Sequence, residues 1–165
     1  MARTDAAAAG GTNRVAFLDA IAFNELGPLL LRNSDDGYDL FGNSTPSRPR
    51  FFKARTMPYG AFPDADDPAM PIVTAGRYRI AESAWETYRV ATANATFDPL
   101  TQDRWALDQL AACGATEAID AGQFTQALRV AASVWVRLSV PSADRDDRML
   151  AAYKSAGGEV SETTA

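Results

Sequence analysis

Apolar residues recur at helical spacing along Asn13–Pro28, NRVAFLDAIAFNELGP. At about 100° of turn per residue, Val15, Leu18, Ile21 and Ala22 share one face. The spacing predicts a helix that starts at Thr12 or Asn13, both good N-cap residues, and ends near Gly27-Pro28. Glu25 falls within the apolar stripe and not on the polar side with Asn24. Leu29-Leu30-Leu31 then predicts a further helical turn docked on the core.

The texture changes from Asn33 to Pro71. Six prolines (46, 49, 58, 63, 68 and 71), with Gly37, Gly42 and Gly60, break any helix there. The segment reads as loop with short extended pieces and a small two- or three-stranded sheet, and a loop this long in a compact domain is usually functional. From Ala75 onward helical spacing dominates. Ile80, Ala84, Trp85 and Tyr88 mark one helix, and Trp105, Leu107, Leu110 and Ala111 a second that starts at Asp98 or Thr96 and stops at Gly114. ATEAIDAG is a short helix. Phe124, Leu128, Ala131, Val134, Trp135 and Leu138 then mark one running through GQFTQALRVAASVWVRLS. SADRDDR reads as a polar connection to a last helix, RMLAAYKSAGG. The expected class is α+β and mostly α. Residues 1–11 are a flexible lead-in, 12–160 one domain with a lid subdomain at 33–71, and 161–165 a tail.

Composition narrows the chemistry. The 165 residues suffice for one domain with a real core. A net charge of −5 argues against non-specific attraction to nucleic acid or anionic lipid. Cys113 is the only cysteine and histidine is absent, which removes intramolecular disulfides, Ser-His and Cys-His catalysis and the usual zinc centres. Acid–base work would therefore fall to carboxylates. Glu25 is a candidate, because burial and the negative end of a helix both disfavour a carboxylate anion and so raise the pKa towards that of a general acid. The alternative is a Glu whose stem packs on the core while its carboxylate reaches water. Ser47–Gly60, SRPRFFKARTMPYG, interleaves Arg48, Arg50, Lys53 and Arg55 with Phe51, Phe52 and Tyr59. Such a segment can hold phosphates, bases or sugar rings, or it is an edge strand whose two Phe residues plug the core. PDADDP lacks the Gly and distal Glu of a calcium loop and reads as a polar turn. MARTDAAAAGGTNR has no continuous apolar core of a signal peptide, and no run is long enough to span a bilayer. Synthesis and folding in a cytoplasm are expected.

Several stretches, in order, carry a resemblance: AFLDAIAFNELG, DDGYDLFGNSTPSRP, TAGRYRIAESAWETYR, FDPLTQDRWALDQL, GATEAIDAGQFTQAL, VWVRL and KSAGGEV. From Ala16 to Val160 the chain resembles the phage lambda endolysin family, lysozyme-like lytic transglycosylases that cleave the MurNAc–GlcNAc bond of bacterial peptidoglycan. The resemblance implies a lysozyme-like helical domain with a small lid after the first helix. It also implies that Glu25 is the sole catalytic glutamate. Gly37-Tyr38-Asp39 matches the family's GYD turn, Gly76-Arg77-Tyr78 its GRY element and Gln102-Asp103 its QD helix start. Tyr38, Asp39, Gly76, Tyr78, Arg79 and Gln102 are thereby expected at the substrate. The chain departs from the family in carrying Arg79 where a glutamine is usual, in offering only Asp66-Asp67-Pro68 for a DHP element, and in replacing a Gly- and Tyr-rich loop by SVPSADRDD.

The resemblance implies a reaction with one acid–base, no metal or organic cofactor, and a 1,6-anhydro-MurNAc product. A hydrolytic muramidase would need a second carboxylate, for which Asp35, Asp36 and Asp39 are available. A glycan-binding module without turnover is the other alternative. The expected partner is peptidoglycan glycan, with no nucleic acid and no membrane insertion. The expected form is a monomer, made in the host cytoplasm and acting on the periplasmic wall.

Overall fold

The computed structural model describes residues 1–52, 59–64, 72–93 and 96–161. The chain divides into two compact units, Met1–Asn24 with Asp103–Ala165, and Glu25–Gln102. The second unit is wider than the 33–71 lid drawn from the sequence, because it includes Glu25 at one end and everything up to Gln102 at the other.

The first unit is helical. It holds α1 (Ala6–Ala9), the first part of α2 (Thr12–Arg32), most of α4 (Pro99–Ala112), α5 (Thr116–Asp120), α6 (Phe124–Ala131), a 3₁₀ turn (Val136–Ser139) and α7 (Ala143–Ser155). The apolar face of α2 is buried as the periodicity requires, with Phe17, Leu18 and Ile21 inaccessible to solvent. Phe17 meets Phe124 and Tyr153 edge-on, at centroid separations of 5.8 and 6.5 Å. Trp105 meets Trp135 at 6.1 Å.

Three expectations in this unit are corrected. Residues 1–11 are not a flexible lead-in. Asp5 caps the four-alanine helix α1 by accepting the Ala8 N–H, and Gly10 ends it in a left-handed conformation. Upstream, the Ala2 N–H donates to Asp19 and the Arg3 and Thr4 N–H groups to Asp103, at 2.7–2.8 Å. Asp19 and Asp103 are both buried, and buried carboxylates need such donors. The single helix expected from Gly122 to Ser139 is interrupted, since α6 ends at Ala131 and Trp135 adopts non-helical angles. The Arg145 guanidinium then donates to the Arg137, Leu138 and Val140 carbonyls, groups that a continuing helix would have satisfied. Finally, SADRDDR is not a connection. It is the first turn and more of α7, with the Ser142 side chain accepting from the Arg145 N–H and Asp144 and Asp146 at the positive end of the helix.

The second unit begins inside α2. Helical geometry breaks at Gly27 (φ 75°, ψ 163°) and resumes from Pro28 to Arg32. Leu30 is buried with Leu26 and Leu40, Leu31 packs against them, and Leu29 is exposed, so the apolar trio docks only in part. The sheet lies beyond the proline-rich segment. β1 (Thr74–Ala75) pairs antiparallel with β2 (Ile80–Ala81), and isolated bridges join Leu40 to Phe51, Phe41 to Ala75 and Thr45 to Arg48. The helix expected after Ala75 starts only at Glu82, as α3 (Glu82–Thr92), because Gly76 and Arg79 are left-handed and form the turn between the strands. Phe97 is the centre of an aromatic core, with Phe52, Phe62 and Trp85 at centroid separations of 5.9, 4.9 and 4.8 Å. Of the two adjacent Phe residues, Phe52 plugs this core and Phe51 is 38% exposed.

Asp98 starts α4. Its carboxyl is pushed up by burial but is held below the usual carboxylate range overall, by hydrogen bonds from the Thr96 hydroxyl, the Thr101 N–H and hydroxyl and the Leu100 N–H. A depressed carboxyl contributes stability that is present above its unfolded pKa and lost as pH falls through the folded value. Asp98→Ala is expected to cost about 1 kcal/mol near pH 7, the ordinary worth of a cap. The gap between parent and variant should close on acidification. Chemical denaturation at several pH values measures it, and a gap that widens in acid would contradict the capping account.

Candidate active site

Glu25 stands two residues before the Gly27 break and is 5% exposed. Facing it is Arg79, whose Nε lies 4.0 Å from Glu25 Oε2, with 17% of its side chain exposed. The separation is that of an ion pair and exceeds hydrogen-bond length. Two influences oppose each other at this carboxyl: burial disfavours its ionised form and the guanidinium favours it.

The turn between β1 and β2 delivers Arg79. It runs Gly76-Arg77-Tyr78-Arg79, and the Arg79 N–H donates to the Gly76 carbonyl at 3.2 Å. Gly76 has φ 78°, and a Cβ there would collide with the Gln102 amide and approach the Phe97 ring. Arg79 has φ 49°, an uncommon conformation for a non-glycine residue. Strain of this kind persists only where the surroundings over-determine it.

Gln102 supplies much of that determination. It is fully buried, its Oε1 accepts the Arg77 N–H at 3.0 Å, and its Nε2 donates to the Phe97 carbonyl at 2.9 Å and the Tyr38 carbonyl at 3.2 Å. One side-chain amide thus ties together the GRY turn, the GYD turn and the approach to α4. Gln102, expected at the substrate, is placed in the interior as a brace. The Tyr38 and Tyr78 rings are likewise enclosed, at 0% and 1% exposure. Asp39 is half-buried on the GYD turn, where its Oδ1 accepts the Asp35 N–H at 3.1 Å. The Tyr59 hydroxyl donates to Asp35 Oδ2 at 2.6 Å and so fixes the same turn from the lid side.

All the residues expected from the sequence fall in one unit, and they separate by exposure. Glu25 and Arg79 meet directly, Asp39 is partly open, and Tyr38, Gly76, Tyr78 and Gln102 build the frame. Sequence reasoning missed Arg77. It is 2% exposed, and its only signal was its place inside the GRY trio. Arg48 is exposed and Arg50 lies over the Phe41 ring at 5.8 Å. Lys53, Arg55 and Asp66-Asp67-Pro68 lie outside the described residues. Among the described residues, no three potential acidic or cysteine ligands gather as a metal site, and no helix is long and apolar enough to cross a membrane.

The family model for Endolysin matches residues 15–160. The chain belongs to the Endolysin family. Among relatives of this endolysin, that of Escherichia phage lambda is 33% identical over 102 residues, 58% of this chain and 63% of the relative. The match therefore spans just under two thirds of that relative's length. The endolysin of Escherichia phage P2 is 27% identical over 159 residues, 88% of this chain and 93% of the relative. Among solved structures, lysozyme from bacteriophage lambda superposes with a TM-score of 0.73 at 28% identity, covering 92% of this chain and 97% of the other. Bacteriophage lambda lysozyme complexed with a chitohexasaccharide gives a TM-score of 0.72 at 29% identity with the same coverage. The fold is accordingly the mostly helical α+β fold of that lysozyme.

Proposed function

We propose that this endolysin degrades bacterial peptidoglycan as a lytic transglycosylase, with Glu25 as its single acid–base. The observation that carries the reading is a carboxyl group, 5% exposed, that stands at a helix break and faces a guanidinium across 4.0 Å in a chain of this family. The chitohexasaccharide bound by bacteriophage lambda lysozyme supports a glycan strand as the ligand.

In the first step protonated Glu25 donates to the glycosidic oxygen as the C1–O bond breaks and GlcNAc departs. The N-acetyl carbonyl of MurNAc stabilises the positive charge developing at C1. The Glu25 carboxylate then takes the proton of the C6 hydroxyl while O6 bonds to C1, which closes a 1,6-anhydro ring and restores the acid. Arg79 stabilises negative charge on Glu25 as the proton leaves, which makes the acid stronger. The Gln102, Tyr38 and Tyr78 frame holds the two groups in register. The reaction as written needs no metal or organic cofactor. The chain acts as a monomer on the periplasmic wall, with no role for nucleic acid or membrane insertion.

Clearing of outer-membrane-stripped Gram-negative cells tests the reading. Falling turbidity is expected, and glycan binding without clearing would leave a binding module. The basic lid segment supplies uniform binding. Neutralising Arg48, Arg50 and Lys53 together is expected to raise KM with little change in kcat. A collapse of kcat at saturating substrate would place these residues in the chemistry instead.

A further inference from the structure

Arg77 carries a buried charge for which the reaction above has no use. Its guanidinium lies between two aromatic faces, 5.3 Å from the Tyr38 ring centroid and 5.9 Å from that of Tyr78. Its Nη1 donates to the Asp36 carbonyl and its own N–H to Gln102 Oε1. Even where a buried arginine is paired and hydrogen-bonded, an apolar residue of similar size often serves stability as well. Stability alone is therefore a poor account of this charge.

Its position supplies a better one. Asp36 (φ 48°) and Gly37 (φ 88°) are both left-handed, and so is Arg79, two residues beyond Arg77. A Cβ at Gly37 would collide with Leu26, the neighbour of Glu25, and would come within 3.5 Å of the Arg77 Cα. The guanidinium thus joins the strained turn carrying Asp36 and Gly37 to the strained turn carrying Arg79. Its planar fork and its stacking on both rings are features that a lysine cannot reproduce.

We infer that Arg77 is a positioning residue, which clamps the GYD turn to the GRY turn and thereby holds the Arg79 guanidinium against Glu25. The inference rests on the reading of Glu25 as the acid–base. Arg77 acts through Arg79 and does not touch substrate. Releasing the clamp lets the left-handed turn relax and carries Arg79 away from the carboxyl, and a misplacement of about 1 Å at a reacting group can cost on the order of 100-fold in rate.

The test is a double-mutant cycle on lysis kinetics with peptidoglycan, using Arg77→Lys, Arg79→Gln and both together. Arg77→Lys is expected to melt cooperatively, to lower kcat by about tenfold with KM changed by less than about threefold, and to move the alkaline limb of the pH–rate profile upward as Arg79→Gln does. In the Arg79→Gln background the same substitution should change kcat by less than about twofold and leave the limb where it is. An equal loss in both backgrounds would make Arg77 merely structural and overturn the inference, as would an unchanged kcat. Arg77→Met places an unbranched apolar chain between the rings and serves if the lysine variant does not fold. Failure of both to fold would make the residue a folding requirement and also overturn it. Undiminished lysis by Glu25→Gln would instead remove the acid–base reading, a separate result.

Discussion

Glu25→Gln is expected to fold as the parent does and to lose lytic activity by about 10²–10⁴-fold, the usual worth of general acid–base catalysis. Glutamine keeps the size and shape of the buried side chain and can still accept a hydrogen bond. It has no proton to give the departing sugar and cannot take one from the C6 hydroxyl, so both halves of the proposed reaction fail together. Circular dichroism and a melting curve establish the fold, and cell-clearing rates measure the loss. A folded variant that keeps more than about a tenth of parental activity would rule Glu25 out as the acid–base.

Arg79→Gln, which installs the residue usual in the family, is expected to change the pH–rate profile in two opposite ways. A unit charge pair at 4 Å is worth about 1 kcal/mol in bulk water and about 4 kcal/mol at an effective dielectric near 20. Loss of the guanidinium therefore favours protonated Glu25. Activity should persist to higher pH, because the form that donates the proton survives further into alkali. The same change makes Glu25 a weaker acid, so the plateau at lower pH should fall, by up to roughly tenfold as a share of the total acid–base contribution. The melting temperature should barely move. A profile displaced toward acid, or one that scales uniformly at every pH, would show that Arg79 does not act on the Glu25 charge.

Much of this site was legible because it violates a local pattern. A carboxyl on the apolar face of α2 contradicts helical amphipathicity, and the violation is visible without coordinates. The Gly27-Pro28 break was equally plain from backbone chemistry, although the helix resumes to Arg32 beyond it. What escaped depends on partners far away in sequence. Nothing in MARTD announces that its amides will satisfy Asp19 and Asp103, the latter about a hundred residues on. Arg77 looks like a surface residue until the Asp36 carbonyl, 41 positions upstream, meets it between two tyrosines. Gln102 and Tyr38, expected at the ligand from the family resemblance, are both buried, and the Gln102 amide donates to the Tyr38 carbonyl, a link that the motifs do not announce. The break between Ala131 and Trp135 was hidden by apolar residues that keep helical spacing across it. Periodicity records which face is buried and does not record whether the backbone stays helical between buried positions.

The reaction type is decided by the reducing end of the product. On the proposed reading, with Glu25 as the single acid–base, the C6 hydroxyl competes with water as an intramolecular nucleophile, and such tethering can be worth an effective molarity of about 10⁵ M or more, against roughly tens of molar for water. The hydrolytic alternative would call on Asp35, Asp36 or Asp39, and of these Asp39 accepts the Asp35 N–H and Asp35 the Tyr59 hydroxyl. Mass spectrometry of peptidoglycan digested in ¹⁸O-labelled water separates the two. Fragments ending in 1,6-anhydro-MurNAc, lighter by one water and free of label, are the expected result. Reducing-end MurNAc carrying the label as the main species would contradict it.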